Sequence, residues 1–258
     1  MLLSTLALWP KVGLLLLAGV GTGIANGIAG GGTFISFPVL LAVGIAPLQA
    51  NVSTSVGVWP SYLGGIRAFR PHLAGRKAMI MALLPWCAAG SLLGTALLLA
   101  FPPAVFARVI PWLIALGTTI FAFSPLITRR LAHLDHHHPA RRRVLHWGIG
   151  LVSIYGGYFG AGLGILLLAV MAVALPNSLP ELQGLRNVIA TIINAVAGVV
   201  FVVRGHLALQ AVGLLLVGTY LGGFAGSWLI LRLPPWVVRT IIIVMGAGTA
   251  IKLLITGA

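Results

Sequence analysis

Acidic residues are nearly missing from this sequence: Asp135 and Glu181 are the only two, against sixteen lysines and arginines. That scarcity excludes a relay of carboxylates carrying protons through a membrane, a device common in pumps. It also leaves little to hold the magnesium of a nucleotide-driven machine, and no G-x-x-x-x-G-K-[ST] phosphate loop occurs. Cysteine is scarcer still. Cys87 stands alone, so an intrachain disulfide is impossible and a thiolate metal cluster is disfavoured. Charged residues of either sign make up 7% of the chain, where soluble domains carry about 25%, so the surface cannot face water on all sides. The hydrolase signatures G-x-S-x-G and H-E-x-x-H are absent, and no histidine or acid sits clearly within a span. An intramembrane enzyme, which needs a nucleophile and a base at depth, is therefore the weaker reading.

What fills the chain is apolar. Of 258 residues, 59% are hydrophobic. Runs such as 79–101 and 207–231 are long enough to cross a bilayer as helix, which takes roughly 20 residues. They are apolar on every side and do not alternate as the strands of a membrane β-barrel would. The expected fold is an all-α polytopic membrane protein. The opening run reads as an uncleaved first membrane segment, since no basic stretch precedes it and no clear cleavage site follows. The net charge of +14 comes from basic residues clustered between oily segments, which points to membrane orientation and lipid headgroups rather than nucleic acid.

Laid on itself, the chain repeats. "RPHL" at 70–73 returns as "RGHL" at 204–207, "GSLLG" at 90–94 as "GGFAG" at 222–226, and "FPPAVFARVI" at 101–110 as "LPPWVVRTII" at 233–242. Three matches in register imply a duplication, a common plan for secondary transporters. The expected organisation is a first repeat over 1–128, a basic, His-rich cytoplasmic linker over 129–143 and a second repeat over 144–258. Each repeat has a glycine-interrupted segment (11–44 and 144–175) followed by three spans, about eight membrane segments in all. The linker's "HLDHHHP" reads as solvated loop rather than a metal site, and His72 and His206 as interfacial residues. No cofactor is expected.

Arg67, Arg70, Arg76 and Lys77, together with Arg129, Arg130 and Arg141 to Arg143, mark two cytoplasmic loops. The uncharged loops at 44–48 and 176–180 should then face outward. If each interrupted segment crosses the membrane, the repeats are parallel. If it enters and returns on one side, each repeat crosses three times and the two are inverted. The favoured expectation is crossing.

The interruptions carry the functional signal. Gly30, Gly31 and Gly32 are consecutive, and the second copy holds Gly156, Gly157, Gly160, Gly162 and Gly164. Glycine within a helix costs about 0.8–1.0 kcal/mol relative to alanine, and opened backbone at membrane depth persists only against protein or a water-filled cavity. A helix starting inside the membrane presents free N–H groups and partial positive charge, the elements of an anion site. Matching breaks in two halves point to a transporter binding site. Gly90/Gly94 and Gly222/Gly226, spaced by four, read instead as helix packing.

Polar residues flank both breaks. Thr33 follows the first, and Asn51, Ser53, Thr54 and Ser55 lie on the next span; beyond the second come Arg186, Asn187, Thr191 and Asn194. An arginine within a span is by default functional, its bland alternative being to snorkel to the interface. The hydroxyls have their own bland alternative, bonding to their own helix. The candidate substrate-binding set is thus Gly30, Gly31, Gly32, Thr33, Asn51, Ser53, Thr54, Ser55, Gly162, Gly164, Arg186, Asn187, Thr191 and Asn194.

"GGGTFISFP", "ANVSTSVGV" and "RPHL", with "GLRNVIATIINAVAGVVFVVRGHL" in the second half, resemble the TauE/SafE family of sulfite exporters over nearly the whole chain. The second break, "GAGLG", departs from the glycine triplet usual in that family. The resemblance implies a multi-pass transporter of the bacterial inner membrane. Its cargo would be sulfite or a small organosulfonate, and self-association into a homo-oligomer is left open. A structural or lipid-binding scaffold would explain the oil but not paired breaks flanked by polar spans.

Overall fold

A computed structural model describes residues 8–28, 30–131, 141–175, 177–204, 207–229 and 235–256. The His-rich stretch of the linker and His206 lie outside them. Among the described residues the regular structure is helical throughout.

The first interrupted segment is two helices, α1 (Leu8–Ile28) and α2 (Thr33–Ala42). Helix α1 ends in a 6→1 turn, with the Gly30 N–H donating to the Ala25 carbonyl at 3.0 Å. Gly30 has φ +73° there, a left-handed conformation that costs any residue with a Cβ roughly 1–2 kcal/mol. The chain then reverses. A methyl added at Gly21 would lie 3.7 Å from the Ile35 Cγ2, and Thr22 Oγ1 donates to the Gly32 carbonyl at 3.2 Å. In a straight helix residues 21 and 35 would be about 21 Å apart, so α2 runs back along α1.

The second interrupted segment repeats this geometry. Helix α7 (Arg141–Tyr158) ends with the Gly160 N–H on the Tyr155 carbonyl at 3.1 Å, again a 6→1 turn. Gly162, with φ +76°, starts α8 (Leu163–Ala174). Helix α8 also folds back: a methyl at Gly148 would meet Val170 Cγ1 at 2.6 Å. The expectation that these segments cross from one face to the other is corrected. Each is a hairpin whose tip lies inside the bundle, with the chain reversing at a left-handed glycine turn and held by the contacts between its two helices.

Between the hairpins lie α3 (Pro47–Gly57), α4 (Ser61–Ala68), a 3₁₀ turn (Arg70–Leu73), α5 (Lys77–Ala100) and α6 (Pro103–Leu131). Helices α3 and α4 form one kinked span. Pro60 lacks an N–H, and across the junction the bonds tighten to i→i+3, from Ser61, Tyr62 and Leu63 to Val58, Trp59 and Pro60. After α8 come α9 (Leu179–Arg204), α10 (Leu209–Leu229) and α11 (Pro235–Thr256). Among the described residues, four helices are long and apolar enough to cross a membrane on length and composition: Lys77–Ala100, Pro103–Phe123, Leu179–Arg204 and Leu209–Gly226.

The first helix of each hairpin packs most extensively on a helix from the other side of the linker, α1 on α10 and α7 on α5. Both seams depend on glycine. A methyl at Gly222 would lie 2.1 Å from the Val20 carbonyl oxygen, and one at Gly94 would lie 2.0 Å from that of Ile154. The expected packing role of these glycines is what the contacts show. Each pair runs parallel, since Gly19 meets Gly218 and Ile24 meets Gly226, while Gly90 meets Gly150 and Gly94 meets Ile154.

These directions fix the faces. The Arg76 guanidinium pairs with the Glu181 carboxylate at 2.7 Å, so the α8–α9 connection lies on the same face as the turn carrying Arg67, Arg70, Arg76 and Lys77. The expectation that 176–180 faces away from that turn is corrected. Folding back, rather than crossing, returns α8 to the basic face from which α7 started.

Phe34, Phe37, Phe106, Phe121 and Phe159 form one core around the hairpin tips, and Leu167, Met171, Leu185, Ile189 and Ile193 another along α9. The outer surface is also apolar, with Trp112, Leu151 and Val203 well exposed, as befits a lipid-facing exterior.

Candidate functional site

The two hairpin tips meet. A methyl at Gly30 would lie 2.7 Å from the Gly164 Cα and 3.1 Å from Arg186 Nη1. Only glycine permits this approach, and it places two chain reversals, each with a helix start, at one point inside the bundle.

Arg186 reaches this point from α9. It is fully buried, so the alternative that it snorkels to the interface is corrected. The Nη2 donates to the Asn26 carbonyl at 3.0 Å and to Asn187 Oδ1 at 3.2 Å. Its Nε and Nη1 have no partner. The single described carboxylate, Glu181, is held elsewhere by Arg76, by Asn177 Nδ2 at 2.9 Å and by the Ser178 N–H at 3.0 Å. A buried guanidinium in low dielectric carries a large desolvation cost unless an anion answers it. The partial negative charge at the end of α1 offsets only part of that cost.

Asn26 organises the first tip and was not among the residues expected from sequence. Its Oδ1 accepts from the Gly32 N–H at 2.7 Å, its Nδ2 donates to Ser61 Oγ at 3.0 Å, and its carbonyl holds Arg186. The signal was a lone carboxamide in an oily run, four residues before the glycine triplet. Asn51 does the equivalent at the other tip, where its Nδ2 donates to the Tyr158 carbonyl at 2.9 Å. Each hairpin's first helix thus ends on a side chain from a span beyond the opposite hairpin, which satisfies a carbonyl that would otherwise be orphaned at depth.

Of the fourteen expected residues, the structure gathers Gly30, Gly164, Arg186 and Asn187 at the junction and sets Asn51 against the second tip. Gly31 packs on Phe121 and Ile242, while Gly32 packs on Thr22 and Asn26. Thr33 is buried in the first turn of α2, and Gly162 caps α8. Besides Arg186 Nε and Nη1, three buried atoms of these residues have no partner: Asn51 Oδ1, Thr54 Oγ1 and Asn187 Nδ2. Four other expected polar groups are engaged with backbone. Ser53 Oγ accepts from the Ala208 N–H at 2.9 Å, Ser55 bonds to the Asn51 carbonyl, Thr191 to that of Asn187 and Asn194 to that of Ala190. For Ser55, Thr191 and Asn194 the bond lies within their own helix, as short side chains in helices commonly arrange.

In this conformation the junction is closed by the Gly30–Gly164 contact. A cavity of about 390 Å³ lined by Val56, Trp59, Asn194, Gly198 and Leu216 has an apolar lining along α9 and shares only Asn194 with the expected site residues.

Three bacterial relatives share this architecture's sequence over most of its length. A probable membrane transporter protein of Haemophilus influenzae is 26% identical over 224 residues, covering 85% of each chain. The probable membrane transporter protein ORF9 of a Sinorhizobium species is 28% identical over 242 residues, 90% of this chain and 88% of that one. The probable membrane transporter protein YfcA of Escherichia coli K12 is 24% identical over 251 residues, 94% and 89%. No solved structure matches significantly. The family Sulfite exporter TauE/SafE matches residues 15–253, a span that contains both hairpin tips, the Gly30–Gly164 junction and Arg186, and the chain belongs to that family of membrane transporters.

Proposed function

We propose that this protein is a secondary transporter that exports sulfite, or a closely related small organosulfur anion, across the bacterial inner membrane. The observation that carries the reading is Arg186: fully buried, without a carboxylate partner among the described residues, and with Nε and Nη1 unpartnered beside the junction of two broken helices. An oxyanion between the tips would take the unpartnered Nη1 of the guanidinium as a charge-assisted hydrogen-bond donor. The Asn187 Nδ2 would donate to the same anion. The reading favours a compact anion, since Gly30 and Gly164 are in contact and must separate to admit one.

The reading includes six crossings and two re-entrant hairpins in inverted, duplicated halves, with the basic face in the cytoplasm. Alternating access follows if the seams α1–α10 and α5–α7 move as units and part the hairpin tips first on one side and then on the other. Export needs no pump. An inside-negative potential favours anion exit by roughly 2.3 kcal/mol per charge per 100 mV, and the chain's two acids offer no proton relay.

The test uses purified protein in detergent and in liposomes. Sulfite should raise the melting temperature saturably, and Arg186→Gln should abolish both that rise and sulfite efflux while leaving a folded protein. Efflux unchanged in Arg186→Gln rejects the site, and efflux strictly dependent on a pH gradient at fixed potential rejects the uncoupled mechanism.

A further inference from the structure

Arg239 is a second cation held within the helix bundle. It sits four residues beyond Pro235, in the second turn of α11, and is half-buried. Its Nη2 donates to the Ala122 carbonyl of α6. Its Nε is buried and has no partner. Arg186 shows the same arrangement, with one Nη2 tied to a neighbouring helix carbonyl and Nε bare. Glu181, the one described carboxylate, is committed to Arg76. A purely interfacial arginine would turn its guanidinium outward to headgroups, whereas this one is turned against α6.

Its position along the fold is informative. One turn further into α11, Ile242 is fully buried, and its Cδ1 would lie 3.1 Å from a methyl on Gly31. Phe121, adjacent in sequence to the Ala122 that holds Arg239, presses its ring edge on the same glycine, 2.5 Å from that methyl position. Phe34 braces the ring edge-on, with centroids 6.1 Å apart. Phe121 and Ile242 therefore cover the first hairpin tip. Arg239 lies toward the basic face, where α11 begins, and Gly30, the chain neighbour of Gly31, is the glycine that meets Arg186 Nη1.

We propose that Arg239 is a second anion station, on which a small oxyanion arriving from the basic face docks before Phe121 and Ile242 part and admit it to Arg186. The inference rests on the central site proposed above. The Arg239 Nη2 is tied to the Ala122 carbonyl and the buried Nε–H has no partner, so once α6 and α11 loosen that N–H would donate to one sulfite or sulfonate oxygen. Two stations in series also meet the requirement that a permeating ion be bound well enough to enter yet be free to leave.

The experiment compares the parent, Arg239→Gln, Arg239→Lys and Arg186→Gln, reading sulfite efflux from liposomes and sulfite-induced thermal stabilisation in detergent. Glutamine keeps an N–H for the Ala122 carbonyl but removes the charge, and lysine keeps the charge. Arg239→Gln should raise the KM for sulfite about tenfold, the loss of one charge-assisted hydrogen bond. Saturating sulfite should still stabilise it as it does the parent, and Arg239→Lys should retain most of the parent's apparent affinity. A parent-like KM in Arg239→Gln overturns the proposal. So does equal slowing in Arg239→Gln and Arg239→Lys with KM unchanged, which would make the residue a helix tie. Loss of sulfite stabilisation in Arg239→Gln but not in Arg186→Gln would overturn the order of the stations. Failure of sulfite to stabilise the parent, with Arg239→Gln still shifting the KM, would count against the central site alone.

Discussion

Gly30 and Gly164, 134 positions apart in the chain, face each other so closely that a methyl on either would lie 2.7 or 2.6 Å from the Cα of the other. This contact joins the two hairpin tips and closes the centre of the bundle. It also explains why the tips need glycine for two separate reasons, backbone conformation at Gly30 and space at both.

Alanine at these positions should separate the two reasons. Gly164→Ala meets only the steric term and should cost about 1–3 kcal/mol, as overpacking does. Gly30→Ala adds the left-handed φ of +73° and should cost roughly 1–2 kcal/mol more. Gly213→Ala, with nothing within 4 Å of the new methyl, should be neutral or stabilising by up to about 1 kcal/mol. Thermal unfolding in detergent ranks the three; Gly30→Ala as tolerant as Gly213→Ala would contradict the tip contact.

Asn26 should respond to charge as well as to size. Asn26→Ala leaves the Gly32 N–H without its partner, a loss of about 1–3 kcal/mol for a buried group. Asn26→Asp keeps the shape and brings a carboxylate to the Gly32 N–H next to Arg186. It should act as a built-in anion, raising the melting temperature relative to Asn26→Ala and removing the response to sulfite. Asn26→Asp that still gains stability from sulfite like the parent would show that the two anions do not compete.

The fold-back of the hairpins sets which loops share a face. Single cysteines at Arg76 and Ser178 should react with a membrane-impermeant thiol reagent from the same side, and a cysteine at Ile45 from the opposite side. Native Cys87 is buried and should stay silent. Labelling of positions 76 and 178 from opposite faces would restore the crossing arrangement.

The two glycine seams should be comparably sensitive. Gly94→Ala and Gly222→Ala each drive a methyl into a carbonyl oxygen, of Ile154 and Val20 respectively. Each should cost about 1–3 kcal/mol and lower the yield of folded protein. A large loss at one seam and none at the other would argue against the matched roles of α1–α10 and α5–α7.

Much of this molecule is written in one dimension. Apolar runs with few charges leave helix in lipid as the backbone's way to satisfy itself, so the all-α membrane class was legible from composition. The glycine triplet and Arg186 were legible as a candidate site because each is costly where it stands and composition offers no cheaper reason for it. The polar groups were less legible: Ser53, Ser55, Thr191 and Asn194 look alike in sequence to Asn51 and Asn187, and only the packing shows that the first four are spent on backbone.

What the sequence left open was direction and partnership. A glycine break allows a helix to continue or to reverse, since glycine is nearly indifferent to the sign of φ. The reversal is decided by contacts the chain makes with itself at long range, Ile35 on Gly21 and Val170 on Gly148. The same holds for Asn26, whose three bonds go to α2, α4 and α9. Local sequence determined that two weak points exist inside the bundle; only the tertiary fold brought them into contact, because their meeting depends on which seam each first helix finds across the linker.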